Sequence, residues 1–356
     1  MQNVPFVATW VLVLLLSMRS FGQSSAKPKQ TEAKQQAVKH LTVVQTAKSS
    51  EIAGEFVPPL RCDNDGDLYM KTEPFGVSGI RKLNPKGEPV GLFQPSSVTD
   101  LQVAIAYYFD LDTNGEVYQL ADTKEPPTYV IIFKSDGSYK GRIKLDTDFL
   151  WHPAALAVFP SSGGLLLTGQ EYDQDRSAAK WPFTGIFSSN GALVKEITLE
   201  DDDAIHEMGV KGDRRVTGAV APSNNHAVGF SQMQAADDGN VYLMRWLSPA
   251  IVYAVSPAGE VLRRFKVDSG DDNYRPEAMH ISGNRMAIVF FQPQTMRKLM
   301  KVVDMEGREL ATYETSSPSN TELGGAFACY SSNPERFTFL SVGDDDQLEI
   351  KIAEAR

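Results

Sequence analysis

From about residue 60 onward the chain repeats one hydropathy phrase. A short apolar strand reaches an Asp/Asn-Gly turn, an apolar–aromatic strand follows, and after a loop another apolar strand reaches a second Gly turn. The first half of the phrase reads LRCDNDGDLYM (60–70), YYFDLDTNGEVYQL (107–120), LAVFPSSGGLLLT (156–168), MQAADDGNVYLM (233–244) and AMHISGNRMAIV (278–289), with a degenerate copy FACYSSNPERFTFL at 327–340. The second half reads GIRKLNPKGEPVGLF (79–93), YVIIFKSDGSYKGRIKL (129–145), TGIFSSNGALVKEITL (184–199), IVYAVSPAGEVLRRFKV (251–267) and KLMKVVDMEGRELATY (298–313). Asp-Gly and Asn-Gly between alternating apolar residues are strong hairpin signals, because such turns need a positive φ that glycine adopts without strain.

Two hairpins per phrase predict four antiparallel strands per repeat. The first-half turns fall at Gly66, Gly115, Gly163, Gly239, Gly283 and Asn333, spaced by 49, 48, 76, 44 and 50 residues. A period in that range with four short strands is the signature of a propeller blade. The expected architecture is therefore an all-β six-bladed β-propeller over residues 38–356, with an insertion near 200–226 filling the long interval. The last copy runs out of chain before its outer strand, and HLTVVQTA (40–47) is an orphan strand near the N-terminus. The expectation is that this strand completes the last blade, which would remove the sheet edge where the ring could unzip.

The pairs DTNGEVYQL with VIIFKSDG (112–120, 130–137) and DDGNVYLM with VYAVSPAGEV (237–244, 252–261) resemble the secreted bacterial six-bladed propellers of the NHL and TolB-like group. The third and sixth copies depart from that pattern by lacking the Asp-Gly-x-x-Tyr core. What the resemblance implies is architecture, since propellers host unrelated functions. Among six-bladed propellers the metal-dependent lactonases would imply carboxylates and an amide converging on one divalent cation at the channel mouth. Asp110, Gln234 and Glu277 are the weak candidates for that role, and Arg61 at the position matching Asp110 opposes it.

Ahead of the repeats, Phe6–Leu16 is an unbroken run of apolar and small residues, long enough for a signal peptide and too short for a membrane-spanning helix. Ser20 and Gly22 stand at −3 and −1 of a cut before Gln23, so residues 1–22 are expected to be a Sec-type signal peptide, with an uncleaved anchor as the alternative. Residues 23–37 are read as a disordered leader, poor in groups that could be buried. The product is expected in the periplasm or outside the cell, with no nucleic-acid partner: the net charge of −10 leaves no general basic face.

The two cysteines, Cys62 and Cys329, each lie four residues before a first-half turn, in the first and last copies. In an exported protein they would form either a disulfide across the ring closure or two buried thiols. No phosphate loop, nucleophile elbow or zinc-protease helix is present: HEMGV (206–210) lacks the second His, and GFSQM (229–233) lacks the second Gly. The Asp-rich turns 63–67, 112–116 and 237–240 read as turn chemistry, and no cofactor is expected outside the lactonase alternative.

All three tryptophans beyond the signal, Trp151, Trp181 and Trp246, fall in loops or strand ends assigned to one face of the ring. His152, Tyr172, Arg245, Tyr274 and Arg275 fall there with them. Such residues combine large contact area with a directed polar group, the composition of binding hot spots. The reading is an exported, monomeric, non-enzymatic propeller that binds a protein, peptide or glycan through this face. The alternatives are a metal-dependent hydrolase or lactonase, and a structural envelope scaffold.

Overall fold

A computed structural model of the chain describes residues 37–53, 56–71, 77–124, 127–172, 179–199, 232–315, 323 and 325–355. The expected signal peptide, nearly all of the leader and the 200–226 insertion lie outside these residues. The described chain is all-β apart from a short 3-10 turn at Pro95–Ser97 and a 3-10 position at Leu323.

The hairpin signals produce strands where the hydropathy phrase places them. The first sheet is β2 (Val57–Cys62), β3 (Leu68–Lys71), β4 (Ile80–Leu83) and β5 (Pro89–Phe93). The second is β6 (Val103–Leu111), β7 (Val117–Thr123), β8 (Tyr129–Phe133) and β9 (Tyr139–Lys144). The third is β10 (Trp151–Val158), β11 (Leu165–Tyr172), β12 (Ala179–Phe187) and β13 (Leu193–Glu196). The fourth is β14 (Gln232–Ala235), β15 (Val241–Arg245), β16 (Ala250–Val255) and β17 (Val261–Val267). Each is an antiparallel meander.

The expectation of six blades is corrected by the remaining strands. These are β18 (Arg275–Ser282), β19 (Arg285–Gln292), β20 (Arg297–Asp304), β21 (Glu309–Thr315), β22 (Ala326–Ser332), β23 (Glu335–Val342), β24 (Gln347–Ala355) and the N-terminal β1 (Lys39–Ala53). They form one continuous eight-stranded sheet in the order β18-β19-β20-β21-β1-β24-β23-β22, so the described fold is propeller-like with four four-stranded blades and one large sheet. The cause lies in β1. It pairs antiparallel with β24 from Leu41 to Ala53, but it also begins earlier than expected and pairs parallel with β21 through Lys39, His40 and Leu41. Leu41, only 1% exposed, enters a core shared by Val289, Tyr313, Phe337 and Ala353 from both halves of the sheet. The N-terminal strand therefore welds two sets of strands rather than finishing one.

The first strands β2, β6, β10, β14, β18 and β22 contact one another in succession, and β22 contacts β2. Apolar clusters fill the spaces between neighbouring sheets, including one that joins Leu60, Leu68 and Met70 of the first sheet to Ala328, Leu340 and Ile350 of the large one. Strands in the middle of a sheet are thus covered on both faces. β15 and β16 are buried throughout, whereas the outer β17 is exposed for most of its length. Cys62 of β2 and Cys329 of β22 are bridged by a disulfide across this closure, their Cα atoms 6.0 Å apart.

The turns have the chemistry that the sequence announces. At Asp112–Gly115 the Asp112 carboxylate accepts the N–H groups of Asn114 and Glu116 at 2.8 and 2.9 Å, and Gly115 takes φ 73°. Gly137 adds a second constraint: at φ 86° a Cβ there would lie 2.5 Å from the Leu92 carbonyl oxygen of the preceding sheet.

Candidate functional site

The ring of first strands surrounds an axis that is blocked in the middle and open at both ends. The block is built on Arg61, near the end of β2 and 4% exposed. Its Nε donates to Asp110 Oδ1 at 2.9 Å, and its Nη2 donates to the Tyr108 hydroxyl at 2.8 Å and to the Met233 carbonyl oxygen of β14 at 2.9 Å. Asp110 is itself buried and accepts the Val158 N–H of β10 at 3.2 Å. One guanidinium and its carboxylate thus tie β2, β6, β10 and β14 together. Burial opposes the charge on Arg61, but Tyr108 and Asp110 outweigh it and hold the guanidinium above its ordinary value. Burial also lifts the Asp110 carboxyl above its ordinary value, with the Arg61 charge pulling it back.

At the strand-start end lies a cavity of about 310 Å³. Pro58 and Leu60 of β2, Met279 of β18, Phe291, and Phe327 of β22 form its apolar walls, with Trp246 alongside. Trp246 is 41% exposed. Three polar side chains reach it: Gln232, Arg275 and Glu277. Glu277 is neutralised by Lys298, whose Nζ lies 2.6 and 2.8 Å from its two oxygens and 4.7 Å from the centre of the Phe291 ring. Arg275 is exposed, and among the described residues its side chain has no hydrogen-bond or ion-pair partner. Gln232 accepts the Met279 N–H and fixes β14 against β18.

At the other end, where the Asp-Gly turns emerge, a wider cavity of about 850 Å³ reaches down to Arg61, Asp110, Gln234 and His280. Gln234 clamps the Ile281 peptide, accepting from its N–H at 2.9 Å and donating to its carbonyl oxygen at 3.2 Å. His280 is 6% exposed and both its ring nitrogens are closed off from solvent. Burial, reinforced by the Arg61 charge, pushes its pKa down to about 3, with the Tyr330 backbone pulling the other way.

The expected binding residues separate. Trp246 and Arg275 meet at the smaller cavity. Trp151 is half-buried, parallel to Phe187 at 5.4 Å and edge-on to Phe183 at 4.9 Å, and packs against the core between the second and third sheets. His152 stacks on Tyr107 at 5.2 Å, with Nδ1 3.5 Å from Asp122. Tyr172 ends β11, its N–H donating to the Leu150 carbonyl oxygen. Arg245 is 1% exposed and Tyr274 is 7% exposed, so both belong to the interior. Trp181 lies in β12, with its side chain outside the described set. Of the cation candidates, Asp110 and Gln234 face the larger cavity and Glu277 the smaller one. Among the described residues no three His, Cys, Asp or Glu side chains converge as a metal site.

Sequence reasoning passed over His280 and the pocket walls Met279, Phe291 and Phe327. His280 carried a usable signal: it is a lone imidazole in an otherwise apolar first strand, AMHIS, one repeat away from Cys329.

No family model matches the chain, and no curated protein matches it, so the likeness to the NHL and TolB-like group has no family match behind it. Among solved structures the chain is similar to a candidate exported protein of Bacteroides fragilis NCTC 9343, with 10% identity and a TM-score of 0.51 over 89% of this chain and 95% of that one. A protein of unknown function from Bacteroides caccae gives 10% identity and a TM-score of 0.43 over 78% of this chain and 94% of that one. At such identity the first likeness concerns the fold alone. Among the described residues no helix is long and apolar enough to cross a membrane.

Proposed function

We propose that the protein is an exported, non-enzymatic binding protein that holds a peptide segment of a partner in the smaller cavity. The observation that carries this reading is the exposed indole of Trp246 on an apolar cavity of about 310 Å³, with the Arg275 side chain, unpaired among the described residues, at its rim. That volume suits one or two apolar side chains, at the lower end of ligand pockets. Glu277 is already matched by Lys298, so Arg275 supplies the free charge, and it selects a carboxylate, either an acidic side chain or a chain terminus. The apolar run Phe6–Leu16 supports export, as does the fold shared with the candidate exported protein from B. fragilis.

The test is selection of a random displayed-peptide library on the wild-type protein, with Trp246→Ala as the parallel target. Peptides enriched on the wild type should carry an apolar residue close to a carboxylate and should not enrich on the variant. Equal enrichment on both targets would end this reading.

A further inference from the structure

The geometry points to tyrosine as the residue that anchors a peptide in the smaller cavity, with its ring between the apolar walls, its hydroxyl between Gln232 and Glu277, and a nearby carboxylate on Arg275. This inference rests on the peptide reading above and narrows it, from any apolar residue to one that carries a phenol.

The first argument is the polar capacity left open in the lining. The Gln232 amide is oriented by its own bond: Oε1 accepts the Met279 N–H, so Nε2 faces away from that peptide group. Among the described residues Nε2 has no hydrogen-bond partner, and it is not closed off from solvent. The Glu277 side chain is 33% exposed, and Lys298 occupies one site on each of its oxygens. A carboxylate offers about four lone-pair sites, so about two stay open. Gln232 is held at Met279, two residues along β18 from Glu277, so an open donor and an open acceptor are separated by about 7 Å of strand. A hydroxyl both donates and accepts, and it satisfies the two together. A purely apolar side chain would strip water from Gln232 and Glu277 and return nothing.

The second argument is the body that must carry this hydroxyl. Phe291, Phe327 and Trp246 bring three aromatic rings to the cavity. A further ring packs on them with more gain than its area alone gives. Serine and threonine hold their hydroxyl next to the main chain and would leave most of the 310 Å³ unfilled. Tyrosine places an aromatic body and a polar tip in line. Among the described residues Arg275 and Glu277 are the charged side chains of the lining, and Lys298 balances Glu277. The remaining positive charge is met by a carboxylate close to the tyrosine.

The experiment titrates the full mature chain with acetylated tyrosine and phenylalanine probes. Each is made in two frames, with the ring residue as the free C-terminus or followed by glutamate amide. In at least one frame the tyrosine probe should bind at least fivefold tighter than its phenylalanine partner. In Gln232→Met that advantage should fall below twofold; because the comparison is made between ligands, it stands on the wild type alone if this variant does not fold. Equal binding of tyrosine and phenylalanine probes, each weakened in Trp246→Ala, would overturn the tyrosine inference and leave the peptide reading standing. Binding of no probe, or an undiminished tyrosine advantage in folded Gln232→Met, would also overturn it. Probes that bind Trp246→Ala as tightly as the wild type would overturn this inference and the peptide reading together.

Discussion

At the residue scale, two side chains near the axis carry most of the consequence, and they behave in opposite ways. Arg61 is fully engaged, so removing it strands the Asp110 carboxylate in the interior. Arg61→Leu should cost about 3–5 kcal/mol, the usual penalty for breaking a buried pair from one side, and adding Asp110→Leu should restore part of it. Chemical denaturation of Arg61→Leu, Asp110→Leu and the double variant measures this, and a double loss equal to the sum of the two single losses would show that the pair is not coupled. His280 is the reverse, a buried imidazole whose charged form the interior opposes. Its pKa of about 3 in the folded protein lies below the ordinary 6.5, so between those values the unfolded chain carries the extra proton. Stability must then fall as pH drops through that window, by up to about 1.4 kcal/mol per pH unit, and be fully present above pH about 6.5. The carboxylates held below their ordinary values, Asp238 and Glu309 among them, act only at lower pH, and the share of the slope between pH about 6 and 5 that comes from His280 is read as the difference between the wild type and His280→Gln. That variant should make the slope shallower; an unchanged slope would show that the imidazole is protonated in the native state. The sequence showed the residue types at these positions but not their engagement, because periodicity says that a side chain points inward and not whether a partner meets it there. The same limit separated Trp246 from Trp151. Both stand at strand ends, yet Phe183 and Phe187 draw one indole into the core. Trp151→Ala should accordingly lower stability by about 3–5 kcal/mol, and Trp246→Ala by far less.

At the scale of elements, local chemistry was legible and long-range pairing was not. Asp and Gly placed within four residues fix a turn by themselves, which is why hairpins such as 107–120 and 251–267 follow directly from the pattern. The fate of the N-terminal strand depends instead on which distant core accepts Leu41, and a parallel pairing with β21 leaves no mark in the hydropathy of residues 40–47. The same distance accounts for the disulfide. Cys62 and Cys329 are 267 residues apart in sequence, and only the approach of β2 to β22 brings them together. A cross-link closing so long a loop should contribute about 3–5 kcal/mol through the unfolded state. The double variant Cys62→Ala/Cys329→Ala should lose that amount, and the untreated protein should show no reactive thiol after denaturation. Two thiols titrated without reductant would contradict the bridge.

At the scale of the whole molecule, the strands form a ring whose axis is sealed by one ion pair and hollow at each end. That division gives the two ends different chemistry from a single repeated unit. Strand starts bring apolar side chains and a free Arg275 to one opening, and the turns bring carboxylates and hydroxyls to the other. The repeat made the ring legible in the sequence; it did not show which opening would hold a pocket, since that depends on side chains converging from separate sheets. The account's central claim is that the end carrying Trp246 and Arg275 is the peptide-binding end. Its most direct measurement is calorimetric titration of the strongest selected peptide into the wild type, Trp246→Ala and Arg275→Ala, with melting curves recorded for each. The account predicts unchanged melting and at least tenfold weaker binding in both variants. Wild-type affinity in the two folded variants would place the binding surface elsewhere and contradict it.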